Sequence, residues 1–324
     1  MDVWVSRRTM LTLSAAGALA AALPSCGGHR HSTSQPVTSS HPPNASNQED
    51  EDTYDLEYHG YDPAGGEGVT PEPTKHAGQV PAAASVKAEW LPPVGFQTQS
   101  NCFVWSCVYG LATFYAARKS KTPPKSREQL AAPDYSYIRF QLANKIPANT
   151  CNGGQNSQIL DWLKSNGGTP SLAAAPNAPK KKSDAASCRA DWSDYSSRTI
   201  PPDPRFLIPS YKVTPITGAD GLKYLRTVIA AGQPMAFGTS LYRDFKNYNG
   251  NPSPYVGGGP MWKDPNGKNT GHVMLVVGYD DNRKAVRIQN SWGTKWGEKG
   301  FVWMAYDTLE KLTQGTGVYV PDSA

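Results

Sequence analysis

Two apolar segments near the C-terminus have the pattern of a β-hairpin. Gly271–Tyr279 is apolar almost throughout after its histidine, as is typical of a buried strand. Asp280–Arg283 has the composition of a turn, and a second apolar segment then runs into Asn290. In such a hairpin His272 and Asn290 lie side by side. An imidazole oriented by an amide is half of a nucleophilic site, which still needs a thiol or a hydroxyl.

A second apolar pattern predicts a helix that begins at Cys102 and reaches about Arg118. Its apolar residues recur at helical spacing, and Ser100 or Asn101 would cap its first turn. Free backbone N–H groups and the positive end of the helix dipole favour a thiolate at such a position. Cys102 is therefore a candidate nucleophile. Its partner must be His272, the only histidine from residue 77 onward.

The N-terminal residues have the pattern of an export signal. Ser6–Leu11 reads as a twin-arginine motif, and the apolar Met10–Leu23 is shorter than the about 20 residues that span a bilayer. Leu23–Cys26 resembles a lipobox, although Pro24 is uncommon there, and an ordinary secretory signal is the alternative. We expect residues 1–26 to direct a bacterial protein to the cell envelope, where a lipid on Cys26 would be its membrane contact.

Residues 27–84 are rich in Ser, Pro, Gly, His and acidic residues and lack apolar periodicity, which predicts a disordered tether. A propeptide is the alternative, disfavoured because no long amphipathic helix is visible. Residues 85–324 suffice for one large domain or two closely packed ones. The net charge of +5 is modest and Lys180–Lys182 reads as a solvated loop, so we expect no nucleic-acid partner.

Four cysteines remain after the signal: Cys102, Cys107, Cys151 and Cys188. They form no C-x-x-C pair, and His272 is the one histidine in this part of the sequence. A zinc site is therefore not expected, nor is any other metal or an organic cofactor. Export of the chain would permit disulfides.

Several segments, in this order, resemble the papain-like cysteine peptidases over about residues 88–310. The matching segments are Gln97 with Cys102–Ser106, Cys151–Gly154, Gln233–Phe237, Phe245–Tyr248, Gly271–His272, Asn290–Gly293 and Trp296–Phe301. The resemblance implies an α+β fold with a cleft between two halves. The left half, about 88–205, would be mainly helical and carry Cys102. The right half, about 206–324, would be an antiparallel sheet or barrel that carries His272 and Asn290.

The resemblance also implies a role for each matched catalytic position. Cys102 would attack the scissile carbonyl as a thiolate, and His272 would hold the ion pair and later protonate the leaving amine. Asn290 would fix the imidazole, and Trp292 would shield that hydrogen bond from water. Gln97 and the backbone N–H of Cys102 would form the oxyanion hole, where a donor is commonly worth about 3 kcal/mol.

Three further positions would contact the substrate. Gly153 and Gly154 would let a substrate backbone pair closely as an added strand. Met235 is a candidate wall of the pocket that selects the residue two before the cleaved bond. The expected partner is a protein or peptide substrate, and the expected assembly is a monomer.

The chain departs from the family pattern near its nucleophile. Gln97 precedes Cys102 by five residues, one fewer than is usual in the family. Gln99 is an alternative side-chain donor for the oxyanion hole, but at three residues from Cys102 it is too close to reach that position. Gln99 also replaces a cysteine that usually pairs with the one at 151, so Cys151–Cys188 is our expected disulfide. Cys107 is an alternative nucleophile, but it would lie within the helix and is expected to be a small buried apolar residue.

We therefore expect peptide-bond hydrolysis by a Cys-His-Asn mechanism through a thioester acyl-enzyme. Two other functions stay open. One is a peptidase-like binding module without activity, which the shortened oxyanion loop favours. The other is an envelope hydrolase or transpeptidase for cell-wall peptides, which membrane tethering favours.

Overall fold

The structure is a computed structural model that describes residues 60–61, 66–74, 79–146, 152–179, 191–264 and 267–322. The export signal, the lipobox cysteine Cys26 and the expected Cys151–Cys188 pair lie outside these residues and stay predictions. Within the described ranges no helix is long and apolar enough to cross a membrane. The same ranges contain no group of three or more His, Cys, Asp or Glu side chains that could hold a metal ion.

The helix predicted at Cys102 is the central buried helix, α1. It consists of three consecutive stretches, Cys102–Val104, the π-helical Trp105–Ala112 and Thr113–Ser120. It is buried from its first residue to Phe114 because apolar side chains cover every face of these turns. It ends where Lys121 adopts a left-handed conformation with φ of 55°.

Three further helices lie in the first half of the described body. Pro133–Ala143 (α2) begins with a proline, whose missing N–H has no helical partner at that position. A capping box between Gln155 and Gln158 starts Asn156–Ser165 (α3). Ser193–Ser197 (α4) is short. Single 3₁₀ turns lie at Ala88–Trp90, Arg127–Gln129 and Pro204–Phe206.

The second half is built on an antiparallel sheet of seven strands that does not close into a barrel. The strands are Ala83–Ser85 (β1), Lys212–Pro215 (β2), Met235–Ser240 (β3), Gly271–Asp280 (β4), Ala285–Gln289 (β5), Phe301–Ala305 (β6) and Thr313–Tyr319 (β7). Their order is β2-β7-β3-β4-β5-β6, and β1 pairs with the end of β4. The helices of this half are Gly218–Ala230 (α5), the 3₁₀ helix Arg243–Asn247 and Tyr306–Leu312 (α6). The predicted hairpin is β4–β5.

Strand alternation gives the sheet two buried faces. Val273 and Leu275 of β4 belong to the core that contains α1, α2 and α3. Met274 and Val276 belong to a second core beneath the sheet, which α5 covers. Both faces are apolar because successive side chains of a strand point in opposite directions and each direction meets helices. The expected α+β fold of helical and sheet halves is confirmed.

Part of the segment expected to be a tether packs against this body. We call residues 60–61 and 66–74 the strap. The N–H of Glu72 donates to the Val213 carbonyl of the edge strand β2 at 2.9 Å, and the Thr74 hydroxyl donates to Thr214. Backbone hydrogen bonds and isolated side chains hold the strap, so a search for apolar periodicity does not detect it. For the undescribed residues of 27–84 a tether stays a prediction.

Candidate active site

The hairpin brings His272 and Asn290 together as the sequence predicted. His272 is the second residue of β4, and Asn290 directly follows β5. The imidazole Nε2 lies 2.8 Å from Asn290 Oδ1, and both residues are buried. Asn290 Oδ1 also accepts the N–H of Ser291 at 2.8 Å, which fixes the amide. The amide of Asn290 therefore holds the imidazole through Nε2.

Trp292 covers this pair. Its ring stacks on the imidazole of His272 with centroids 4.6 Å apart and an interplanar angle of 28°. Phe245 and Trp296 pack on Trp292 from behind, with centroids 5.7 and 5.5 Å from its ring. The indole therefore covers one face of the imidazole, and the shielding role that the resemblance implied stays a prediction.

Cys102 faces this wall from the other side of the cleft. It is fully buried, and its sulfur accepts a hydrogen bond from the backbone N–H of Val273, the neighbour of His272. Burial raises the pKa of the Cys102 thiol to about 12, against the lowering effect of that bond. Burial likewise lowers the pKa of His272 to about 4, although the Asn290 bond raises it. Both shifts favour the uncharged forms of the thiol and the imidazole in the closed cleft, and the expected ion pair stays a prediction.

Gln97 approaches the His272–Asn290 pair from the loop before α1. It is fully buried, and its Oε1 accepts the hydroxyl of Ser291 at 2.6 Å. Its Nε2 donates to the backbone carbonyl of Gln99 at 3.1 Å. Gln99, the alternative oxyanion-hole donor, points away from this pair, because its Oε1 accepts the indole N–H of Trp192 at 2.8 Å. The structure thus brings Gln97 to the His272–Asn290 wall and ties Gln99 to the helical half.

A buried carboxylate beside Asn101, the residue before Cys102, was not found from the sequence. Asp134, the second residue of α2, accepts Asn101 Nδ2 at 2.9 Å and the N–H of Ala178 at 3.0 Å. It also hydrogen-bonds the side chain of Gln99. Burial raises the pKa of Asp134 to about 6. The only signal in the sequence was an acid in the first turn of a predictable helix, and such acids are usually solvated.

Cys107 lies farther along α1 and faces the core. Its sulfur donates to Asn156 Oδ1 at 3.3 Å, and burial raises its pKa well above the ordinary range. The residue is fully buried, as expected for a small apolar side chain. Cys102, by contrast, has the backbone of Val273, the neighbour of His272, as a hydrogen-bond partner.

The strap occupies the loop that was expected to bind a substrate backbone. The N–H of Gly154 donates to the carbonyl of Gly60 at 3.0 Å. Tyr61 then bridges Gly154 in a parallel sense and Gly271 in an antiparallel sense. A Cβ at Gly153 would lie 2.5 Å from the Gly60 oxygen, so glycine is required for this close approach. The two glycines do accommodate a peptide backbone, and it belongs to the chain itself.

Glu67 fastens the strap farther along. Its carboxylate accepts Asn156 Nδ2 at 2.7 Å and the N–H of Ser157 at 2.9 Å, at the start of α3. The Ser157 hydroxyl donates in turn to the Glu67 carbonyl. Burial raises the pKa of Glu67 despite these bonds. With Gly60, Tyr61 and Glu67 in place, the strap covers the cleft beside Cys102.

Met235 does not lie at the cleft, which corrects the sequence interpretation. Its side chain is fully buried in the second core, and a Cβ at Gly317 would lie 2.2 Å from its sulfur. The reason is strand alternation: odd positions of β3 face α5, whereas Ala236 and Gly238 face the cleft side.

The chain is similar to known cysteine proteases in sequence and fold. The family model for "Papain family cysteine protease" matches residues 97–320. Cysteine proteinase 3 of Solanum lycopersicum is 27% identical over 206 residues, which are 62% of this chain and 49% of that protein. Thiol protease aleurain of Arabidopsis thaliana is 27% identical over 205 residues, 62% of this chain and 48% of that protein. The chain thus spans about half the length of these curated relatives.

Two solved structures share the fold. Xylellain, a cysteine protease from Xylella fastidiosa, superposes with a TM-score of 0.58 at 20% identity, over 81% of this chain and 96% of that one. Procathepsin L 3 of the Tenebrio molitor larval midgut gives a TM-score of 0.54 at 18% identity, over 81% and 76%. The family match extends over most of the described body and includes Cys102, His272 and Asn290. The chain belongs to the papain family of cysteine proteases.

Proposed function

We propose that the chain hydrolyses peptide bonds as a cysteine peptidase, with Cys102 as nucleophile and His272 as its base and acid. The observation that carries this proposal is the juxtaposition of two walls. One wall presents a helix-borne thiol against the Val273 N–H, and the other presents an imidazole fixed by Asn290. This is the arrangement that nucleophilic catalysis requires, a nucleophile beside a base that a third group orients.

The reaction would proceed in two stages. His272 Nδ1 takes the thiol proton, and the Cys102 sulfur attacks the carbonyl carbon to give a tetrahedral oxyanion. Collapse of this intermediate breaks the C–N bond, and the protonated imidazole gives its proton to the leaving amine. A water molecule, deprotonated by His272, then attacks the thioester and releases the carboxylic acid and the thiol.

Gln97 and the backbone N–H of Cys102 would stabilise the oxyanion. The Ser291 hydroxyl fixes Gln97 Oε1, so the amide plane is set and Nε2 keeps a defined direction. Loss of one such donor commonly costs about 3 kcal/mol of transition-state stabilisation. The Gln99 side chain turns toward Trp192, which supports Gln97 as the oxyanion-hole donor.

The closed strap supports a latent form. With Gly60 and Tyr61 in the cleft, a substrate cannot pair with Gly154, and the thiol keeps its proton at neutral pH. Displacement of the strap would hydrate the cleft, lower the pKa of Cys102 and raise that of His272. The ion pair would then form in the open state only. Catalysis therefore requires that the strap leave.

The remaining proposals concern location and assembly. We propose export to the bacterial cell envelope and lipid attachment at Cys26, supported by the twin-arginine and lipobox patterns of residues 1–26. A monomer is proposed because one chain supplies both walls of the site.

Digestion of denatured casein by the full chain tests the proposed activity. Because the wild-type strap is closed, the assay uses the Tyr61→Ala variant, in which the cleft loses its aromatic occupant. We expect Cys102→Ala in that background to abolish cleavage and the matched thiol control Cys107→Ala to retain it. Purified cell-wall peptides form a second substrate arm. Cleavage of those peptides alone would favour the envelope hydrolase, and no cleavage of either would favour the binding module.

A further inference from the structure

A small cavity lies between the nucleophile helix α1 and the end of strand β5. Its volume is about 20 Å³. The polar side chains that line it are Trp105 and Ser106 of α1, Gln289 at the end of β5, and Asn290. A cavity needs about 10–15 Å³ to hold one water molecule, so this one has room for a single water.

Three of these side chains carry a buried polar atom that needs a partner. Trp105, Gln289 and Asn290 are only 4%, 7% and 3% exposed. Within the described part of the chain, three of their atoms make no hydrogen bond: Trp105 Nε1, Gln289 Oε1 and Asn290 Nδ2. A buried polar group is costly to leave unsatisfied, and most such groups have a protein or a water partner. The three atoms therefore indicate a small ligand that forms hydrogen bonds.

Two of the lining groups are acceptors. Gln289 Nε2 donates to the Pro92 carbonyl at 3.0 Å, which sets the amide orientation and leaves Oε1 as an acceptor. The Ser106 hydroxyl donates to the Val273 carbonyl at 3.0 Å, so its oxygen can accept a further hydrogen bond.

The other two groups are donors. Asn290 Oδ1 accepts the Ser291 N–H, which identifies the amide oxygen and leaves Nδ2 to donate. The indole N–H of Trp105 can only donate. One water molecule offers two lone pairs to these donors and two hydrogens to the acceptors on Gln289 and Ser106. An anion would repel the acceptors and a cation the donors, so water is the ligand that suits all four groups.

We propose that one buried water binds in this cavity and joins Trp105 of the nucleophile helix to the amide of Asn290. Trp105 and Gln289 are then positioning residues, which act on His272 through the water and Asn290 and touch no substrate. Trp105 lies three residues after Cys102, so the water connects the two walls of the cleft. The catalytic consequence rests on the proposed peptidase function, and it adds the residues that hold the imidazole in place.

A double-variant cycle on the full chain tests the shared water without turnover. Trp105→Phe removes the indole donor, Gln289→Met removes the amide acceptor, and urea unfolding measures each variant and the pair. Either substitution disrupts the same water. The unfolding constant of the pair should therefore rise at least about threefold less than the product of the two single increases. Ser106→Ala, which removes the other acceptor, replaces Trp105→Phe should that variant not fold.

Gln141→Met is the matched control for Gln289→Met. Gln141 is also buried, donates from Nε2 to a backbone carbonyl and has an Oε1 without a partner, but it lies on α2 and does not line the cavity. Its effect on the unfolding constant should multiply with that of Trp105→Phe, as independent sites do.

A crystal structure and kinetics complete the test. The water should appear within about 3.2 Å of Trp105 Nε1, Gln289 Oε1 and Asn290 Nδ2. In the Tyr61→Ala background, Gln289→Met should lower kcat about threefold to tenfold with little change in KM, because the imidazole is held less well while substrate contacts remain.

The outcomes separate the water site from the proposed function. If the water and the coupling are found but no peptide is cleaved, the site stands and the peptidase proposal fails. If the cycle is multiplicative, or the crystal structure shows no water between the three atoms, the water site is wrong. If peptides are cleaved and Gln289→Met leaves kcat unchanged, the positioning role is wrong.

Discussion

The two walls of the cleft hold their reactive groups by different physical means. The Cys102 wall depends on a buried polar network in which Asp134 fastens Asn101 and Gln99. The His272 wall depends on strand register and on the stack of Trp292 over the imidazole. A buried hydrogen-bonded network loses much of its stabilising free energy when one partner is removed, because the other partners are left unsatisfied. An aromatic stack loses stabilisation in proportion to the contact area that a substitution removes. The two walls should therefore respond differently to substitution.

Removal of the imidazole should have the largest effect. In the Tyr61→Ala background, His272→Ala deprives the thiol of its base and the leaving amine of its acid. We expect casein hydrolysis to fall about 10³-fold, since general acid–base catalysis contributes on that order. The measurement is initial rate at saturating substrate. A fall below tenfold would mean that another group serves as the base.

Asp134→Ala should destabilise the Cys102 wall. It leaves Asn101 Nδ2 and the Ala178 N–H without their buried acceptor, at a cost of about 2–4 kcal/mol in the free energy of unfolding. Urea unfolding measures the loss, and Asp194→Ala is the exposed-acid control, expected within about 0.5 kcal/mol of wild type. Equal effects of the two substitutions would contradict a network under Cys102.

The walls should have opposite pH dependence. The pKa of Asp134 is raised to about 6, so its contribution to stability is complete below about pH 4 and lost as pH rises through 6. The pKa of His272 is lowered to about 4, so its contribution is present above about pH 6.5 and lost as pH falls toward 4.

Variants at each wall separate these two effects. Between pH 4 and 7, the unfolding free energies of variant and wild type should diverge by about 1.4 kcal/mol for each tenfold change in proton affinity on folding. Asp134→Asn should gain relative to wild type as pH rises, and His272→Asn should gain as pH falls. Parallel curves for both variants and wild type would contradict the pKa directions of both groups.

The smallest expected effect is that of Trp292→Phe. Phenylalanine keeps an aromatic face against His272 but covers less of the Asn290 bond, so we expect about a tenfold loss of kcat, or ~1.4 kcal/mol. The pKa of His272 should rise toward its ordinary value as water approaches. Trp303→Phe on the outer strand β6 is the matched control. An unchanged kcat for Trp292→Phe would show that the cover is dispensable.

The sequence predicted one wall better than the other. Turn residues and the apolar pattern fix the β4–β5 hairpin locally, so the approach of His272 and Asn290 follows from the sequence. The helix that begins at Cys102 was predictable for the same reason. The Asp134 network was not, because its members are far apart in sequence and each is an ordinary polar residue by itself.

Two other features escaped for related reasons. The side of β3 that faces the cleft depends on which neighbours cover each face, so Met235 was assigned to the wrong face. The strap carries almost no apolar pattern, because Gly60 acts through its backbone and Glu67 through one buried carboxylate. Long-range backbone pairing leaves little trace in composition.

We propose that Tyr61 makes the site latent by covering the Cys102 thiol. Once Tyr61 is displaced, His272 can activate the thiol. The most direct measurement is iodoacetamide labelling of Cys102 at pH 6, mapped by mass spectrometry, in the full chain and in Tyr61→Ala. We predict little labelling of the wild type and rapid labelling of the variant, which His272→Ala reverses. Equal labelling of the two chains, or labelling that does not depend on His272, would show that Tyr61 does not restrain the thiol.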